Sequence, residues 1–501
     1  MVMSMLAVTL SAADSDVCSV TKKDGTVVGT YAKYEDALKA AYEAGGGTIT
    51  FVADYTLAGA TNVNTDAATV TDITINGGGH TLECGSITPF NFAANDNVTV
   101  NDLKVNTTGA RFTDIYAGST ITFNKVTFTS NAHIDDQYGY FRTPNTNSAN
   151  DKVNTLNFKD CTITLTGKGT VIGIRNGAHI LDVNMEGTTV IGSTQGNMPG
   201  FIYGGRNATL KDTDVAVSGR VFWGMKGGTI RVDGNSTLKT TSGSRAIFDI
   251  AGSYNVYLGD NTKIVGKVLN TVGGAAEYLN IYATNPDFFY TDDTTQNTSF
   301  PAPVMNDGAT LRVSDDEPNY GLRFTSTCAP TADTETVKGV KYGTVITKDT
   351  YLDKALWAEA VTGNAKDGDK EIFKSVWADK GLTKAADGTV TMNTALANIK
   401  EENYKSTFYA RSFAEYSLDS LDFVKVYVFS ELDTAKHGAS YSETVNKDLS
   451  ENVKDASADG YTTVVDSYVT YANNAYAWQS GTKYTCYSSK QYADLKAIAT
   501  K

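Results

Sequence analysis

"VIGIRNGAHILDVNM" at residues 171–185, "IYGGRNATLKDTDVAV" at 202–217, "FWGMKGGTIRVDG" at 222–234 and "IFDIAGSYNVYLGD" at 247–260 read as four versions of one unit. Each is a β-prone run, a corner rich in Gly and Asn, and a second β-prone run. Aligning Gly173, Gly204, Gly224 and Asp249 gives steps of 31, 20 and 25 residues. An imperfect period of this size belongs to a stacked coil, in which every strand pairs with its equivalents in the coils before and after. Uneven steps fit such a coil because its turns lengthen at little entropic cost.

The same texture extends toward the N-terminus. "TITFVA", "DITING", "NVTVNDLKV", "STITFNKVTFT" and "TLNFKDCTITLTG" alternate Val, Ile, Thr and Phe with polar residues, the pattern of half-buried strands. One helix interrupts it. "YEDALKAAYEA" (34–44) places Ala37, Leu38, Ala41 and Tyr42 along one face, and "GGG" at 45–47 stops it. Such a helix would cover the open first coil and blunt its exposed edge. The glycines of "DITINGGGHTL" (72–82) are read as a corner. A phosphate cradle would open a helix, whereas "TLECGSI" continues as strand and no Lys-Ser/Thr pair follows.

The helix followed by "GGGTITFVADYTL" and "ITINGGGHTL" resembles the opening of right-handed parallel β-helices of the pectin-lyase-like type, over about residues 20–290. The resemblance implies a mainly β chain, a right-handed solenoid with an N-terminal capping helix, of the kind carried by bacterial surface and secreted proteins. It implies no single activity, because this architecture hosts enzymes, adhesins and passive stalks alike.

Five of the eight prolines (Pro286, Pro301, Pro303, Pro318 and Pro330) cluster around the polar "TDDTTQNTSFPAPVMNDG", and 22 of the 43 Lys and Arg lie after residue 305. We therefore divide the chain into a signal-peptide-like start (1–15), a β-helix with its cap (16–300) and a C-terminal α+β module (306–501). In the module, "GATLRVS", "YGLRFTST", "KYGTVITKDTYL", "TVTMNTALANI", "TFYARSFAEYS" and "DFVKVYVFSEL" read as strands. "EIFKSVWADKGL", "YSETVNKDLSENVKDAS" and "YTTVVDSYVTYANNAY" read as helices. The order "GLRF … YGTVIT … YARSFAEY … VKVYVF" is similar to a module found at the ends of cell-surface proteins of gram-positive gut bacteria.

A net charge of −13 disfavours nucleic acid and anionic lipid surfaces. No stretch carries the ~18 apolar residues of a membrane span. The short apolar start, ending in small residues near Ser11–Ala13, points to an extracellular location. Cys18, Cys84, Cys161, Cys328 and Cys486 show no metal-site spacing; buried thiols are expected, with Cys328–Cys486 as the one local pairing to consider. No cofactor or metal is expected, and the oligomeric state is not legible.

Candidate site residues fall on the repeats. Arg175, Arg206 and Lys226 each lie two residues after the aligned glycine and form a basic column. Beside it stand Ile172, Tyr203, Trp223 and Phe248. Their same-parity neighbours are apolar, so this column is expected to face the core, with Trp223 partly exposed. Arg175, Arg206, Lys226 and Trp223 are the glycan-binding candidates. Asp135 and Asp136, beside His133, are the best carboxylate pair for sugar hydrolysis, yet they lie in a loop-like run without supporting motifs, and no catalytic residue is assigned. Thr-x-Thr pairs recur irregularly and are read as strand composition. His80, His133, His179 and His437 are scattered with no local nucleophile motif. The reading is a non-enzymatic extracellular solenoid contacting a polysaccharide or a host or bacterial surface protein. A lyase or hydrolase of acidic glycans is the alternative.

Overall fold

In the computed structural model the described residues are 15–501 apart from 62–70, 135–138, 144–151, 175–179, 193–194, 250–251, 271–277, 285–287, 314–319, 355, 362, 364, 369, 379–381, 420–422, 453–461 and 466–484. The chain is mainly β, with 49% strand and 11% helix. It forms two compact units that divide between Asn297 and Thr298, a short stretch from Tyr282 belonging to the second.

The first unit is a parallel β-solenoid of about eight turns. Each complete lap contributes one strand to each of three parallel sheets, from Asp72–Asn76, Thr81–Gly85 and Phe90–Asn91 in the first to Tyr254–Leu258, Lys263–Val265 and Leu269–Asn270 in the last. The alternation predicted from sequence sets the inward columns. On the first sheet Ile73, Val98, Ile121, Leu156, Val183, Ala208, Ile230 and Val256 stack in register. Phe123, Phe128, Phe141 and Phe158 fill the middle laps with ring centroids 5.0–6.3 Å apart, and each is at most 2% exposed. Burying a ring of this size stabilises by roughly 1.5–3 kcal/mol.

The corner between the first and second sheets has its own rule. Asp102, Lys125, Asp160, Gly187, Asp212 and Gly234 take left-handed backbone in six successive laps, with φ between 48° and 65°. Asp and Gly tolerate this region well. The "GGG" at 77–79 turns the equivalent corner of the first lap, as expected. Gly78 and Gly79 have φ of 59° and 80°, and a Cβ on Gly77 would collide with the Asp102 carbonyl.

The N-terminal helix is Tyr34–Glu43, with Tyr34, Ala37, Leu38 and Ala41 buried. Glu35 holds its start by accepting from Tyr55 Oη (2.8 Å) and from the amides of Ala58 and Gly59. Near its end, Tyr42 donates to the buried Asp96 carboxylate, which burial raises above the usual range. Cys18–Thr21 runs antiparallel to both Val27–Tyr31 and Gly47–Phe51, so the parallel ladder begins from a short antiparallel edge. The signal-like residues 1–14 lie outside the described residues.

The second unit holds two antiparallel sheets and helices. In one sheet, Gly321–Cys328 pairs with Val390–Ala397. In the other, Gly339–Lys348 lies between Phe373–Trp377 and Thr407–Ser417. A buried hydroxyl seam joins them: Ser326 Oγ donates to Ser412 Oγ (2.7 Å), and Thr344 Oγ1 lies 2.9 Å from Thr394 Oγ1 and 3.0 Å from Ser412 Oγ. Helices Tyr441–Asn452 and Ser489–Ala499 add Tyr441, Val445, Leu495 and Ile498 to the core. The C-terminal helix starts on a capping box between Ser488 and Gln491, a signal unread in the sequence.

Two expectations fail in this unit. "EIFKSVWADKGL" contains the strand Phe373–Trp377 rather than a helix. Ile372, Phe373, Val376 and Trp377 have helical spacing, but pairing with Gly343–Thr347 overrides it. "YTTVVDSYVTYANNAY" opens with the strand Thr462–Val465, parallel to Thr485–Ser488. Cys328 is a free, buried thiol, so the considered pairing with Cys486 is absent. Burial pushes the Cys18 thiol up to about 12 and those of Cys161 and Cys328 up to about 11.

Candidate functional site

The register of the third sheet decides which aromatic residues reach solvent. Gly173, Tyr203 and Trp223 are ladder neighbours, as are Ile172, Ile202, Phe222 and Phe248. The sequence alignment was correct for Tyr203 and Trp223 and one residue out for Ile172 and Phe248. A one-residue slip exchanges the faces of a strand. Ile172, Ile202, Phe222 and Phe248 therefore form the inward column, each no more than 1% exposed. Tyr203 and Trp223 belong to the outward one: the predicted core position is corrected for Tyr203, while Trp223 has the partial exposure expected of it, and the two ring centroids lie 4.5 Å apart.

Arg220 braces this pair. Its guanidinium carbon lies 4.5 Å from the Trp223 ring centroid, and its Nε pairs with the buried carboxylate of Asp249. A cation over the face of an indole is attractive, and the ion pair holds the guanidinium there.

One corner further along, the predicted basic column resolves differently at each member. Arg175 lies outside the described residues. Arg206 forms a two-pronged pair with Asp182: Nε donates to Oδ1 at 2.9 Å and Nη2 to Oδ2. Asn207 Nδ2 donates to the same carboxylate at 3.1 Å. That hydrogen bonding raises the Arg206 pKa and neutralises its charge within the protein. The Lys226 amide donates to Gly205 O (2.9 Å), which sets Lys226 beside Arg206, and burial lowers its pKa. A ladder of unpaired cations able to clamp an acidic glycan is thus not what the described residues form; Arg206 is already matched.

Beyond that corner, the outer face of the first sheet carries a shallow hollow of about 310 Å³. Thr155, Asp182, Asn184, Asn207, Thr209 and Arg231 line it. Strand alternation places these polar groups outward, opposite the buried Val183, Ala208 and Ile230. Ladder bonds fix them: Asn184 Nδ2 donates to Asn157 Oδ1 (2.9 Å), and Asn207 Oδ1 accepts from the Thr229 amide (2.9 Å). Arg231 lies 4.4 Å over the Tyr257 ring. The face thus offers planar amides, a carboxylate and hydroxyls in fixed positions, one corner of the coil away from the half-buried aromatic pair. Tyr203, Asp182, Arg220 and Arg231 were not singled out as site residues. The correct one-residue register, which would have turned Tyr203 outward, was the missing signal.

The other sequence candidates do not assemble. Asp135, Asp136 and His179 lie outside the described residues. His133 Nδ1 accepts from the Lys168 amide (3.2 Å), His80 lies 3.3 Å from Asp54, and His437 Nδ1 accepts from the Asp433 amide. Among the described residues no group of three or more His, Cys, Asp or Glu is placed to hold a metal, and no helix is long and apolar enough to cross a membrane.

The fold defines the chain as a parallel β-solenoid joined to an α+β unit. Compared with known proteins, it matches no family model, no curated protein and no solved structure.

Proposed function

We propose that the chain is an extracellular, non-enzymatic solenoid that contacts glycans through the outer face of its middle laps. The observation that carries this reading is the outward Tyr203–Trp223 pair on the third sheet, followed in the chain, past the corner at 204–206, by the strand that lines the polar hollow. Sugar rings present C–H groups to aromatic faces and hydroxyls to amides and carboxylates, and rigid aromatic residues supply contact area at low entropic cost. Because Arg206 is matched by Asp182, neutral hydroxyl-rich sugars suit this face better than polyanions. A pectin-lyase-like kinship and a cell-surface role for the C-terminal module are part of the same proposal.

The test is retention of the intact chain on a panel of immobilised polysaccharides, with simultaneous assay for new reducing or unsaturated ends. Saturable retention that falls at least tenfold in Tyr203→Ala or Trp223→Ala is the expected result. Product release would replace this reading with the lyase or hydrolase alternative, and retention unaffected by either substitution would remove the site.

A further inference from the structure

A second hollow, of about 260 Å³, lies wholly within the C-terminal unit. Its floor is apolar. Ile346 is buried, and Phe408 and Leu396 pack against its core cluster from the side, whereas Phe373, paired with Thr347, turns to the opposite face of the sheet. Its rim is cationic, carrying Lys348, Lys370 and Lys374 with Glu371 as the single acid.

The sequence explains the juxtaposition. Gly339–Lys348 is a strand, so Ile346 and Lys348, two residues apart, lie on one face, with the charge directly beyond the apolar side chain. Lys348 Nζ donates to Asn403 Oδ1 (3.1 Å), and Lys370 Nζ lies 5.4 Å from the Tyr351 ring centroid. Among the described residues none of the three lysines forms an ion pair with a carboxylate. Elsewhere in the unit the pairing is different: Lys341 and Lys425 both sit 3.3 Å from Glu415. Lys370 faces Asp367 across a short hairpin, so the positive surplus at the hollow rests on Lys348 and Lys374 against Glu371, in a chain whose net charge is −13.

A concave site with an apolar floor and a few polar groups at its mouth is the ordinary form of a small-molecule pocket. The floor favours an apolar ring or chain, and the ammonium groups favour an anion. Arginine forks and helix N-termini, the usual phosphate-holding devices, do not line the hollow, so a singly charged carboxylate fits better than a phosphate. A pocket slightly below the ~300 Å³ lower end of ordinary ligand sites admits a single ring with a short side chain. We infer that this hollow binds a small organic carboxylate with an apolar body, independently of any glycan contact on the solenoid.

The test uses the intact chain and ligand-observed NMR with phenylacetate, its neutral amide phenylacetamide, and phenyl phosphate. Phenylacetate should bind saturably and at least tenfold more tightly than the amide. The preference should shrink to under threefold in Lys348→Met/Lys374→Met and at high salt, where exposed charges are screened. Lys370→Met, on the exposed rim, should weaken phenylacetate binding about threefold and serves as the readout if the double variant does not fold. Equal binding of acid and amide, absence of saturable phenylacetate binding, or an unchanged preference in the folded variants would overturn the inference. Tighter binding of phenyl phosphate would overturn the carboxylate assignment.

Discussion

The two units bury their strands in different ways. In the solenoid, strands such as Thr120–Asn124 and Val153–Lys159 alternate strictly, one face inward and one toward solvent. In the C-terminal unit, the last eight residues of Thr407–Ser417 are buried on both faces. One-sided burial lets the outer residue be anything polar, and neighbouring laps then satisfy each other: Asn124 Nδ2 donates to Asn101 Oδ1, and Asn101 Nδ2 to Asn76 Oδ1, both at 2.9 Å. Two-sided burial forces every polar side chain to find a partner inside. Hence Ser412 joins the hydroxyl seam, Glu415 sits between Lys341 and Lys425, and Arg411 donates through Nε to Ser430 O at 3.0 Å.

Substitutions can break this contrast. The largest effect belongs to Phe128→Ala, which removes a fully buried ring touching Phe112, Phe123, Phe141 and Phe158. A loss of about 3–5 kcal/mol is expected by chemical denaturation. The outward neighbour Thr129→Ala should stay within about 0.5 kcal/mol. Equal effects at the two positions would erase the distinction between faces. Next comes Ser412→Ala, which strips hydroxyl partners from Ser326 and Thr344 and should cost about 1–3 kcal/mol, read from the thermal midpoint of the C-terminal unit. A negligible change would show the seam to be neutral packing.

Smaller effects test the outer face. Trp223→Ala should destabilise by only about 1 kcal/mol while lowering glycan retention at least tenfold, because the ring is half-buried and packs at a tilt against Tyr203. A large loss of stability would mean that the ring is core. The smallest effect concerns pH. The hydrogen bond from Lys23 (2.6 Å), and secondly that from Asn97 (2.9 Å), hold the Asp72 carboxyl below its usual range. A depressed folded pKa contributes stability above the unfolded value and loses it as pH falls through the folded one. Amide exchange in residues 18–31 should therefore accelerate below about pH 4, after correction for intrinsic rates, and less so in Asp72→Asn. No acid dependence would uncouple the N-terminal hairpin from the first lap.

This contrast also explains what could be read from the sequence. Coiling was legible because Val, Ile and Phe recur every second residue in strands that bury one face, and because turns carry Gly and Asn. Register was legible only to within one residue, since the steps around Gly173 and Asp249 vary with turn length, and that residue decided whether Tyr203 faced solvent. A finer marker was present. Asp102, Lys125, Asp160, Gly187, Asp212 and Gly234 follow the strand ends of six laps, and aligning on them fixes the phase of the first sheet in those laps but not that of the third, whose turns differ in length. In the C-terminal unit, strands with two buried faces lose the alternation, and "EIFKSVW" mimics a helix because its apolar residues fall in adjacent pairs. The carboxylate-binding hollow was not legible at all, since Lys348, Lys374 and Phe408 meet only through non-local pairing.

Tyr203 and Trp223 mark the start and finish of one circuit of twenty residues, and the glycines that follow them share a backbone conformation, with φ of 79° at Gly204 and 63° at Gly224. Excising 204–223 would join two ends that already occupy equivalent places, so the rod could shorten by one storey with its seam unstrained. Growth by copying the same segment would be equally smooth, which gives this chain a simple route to altering its reach without redesigning its interior.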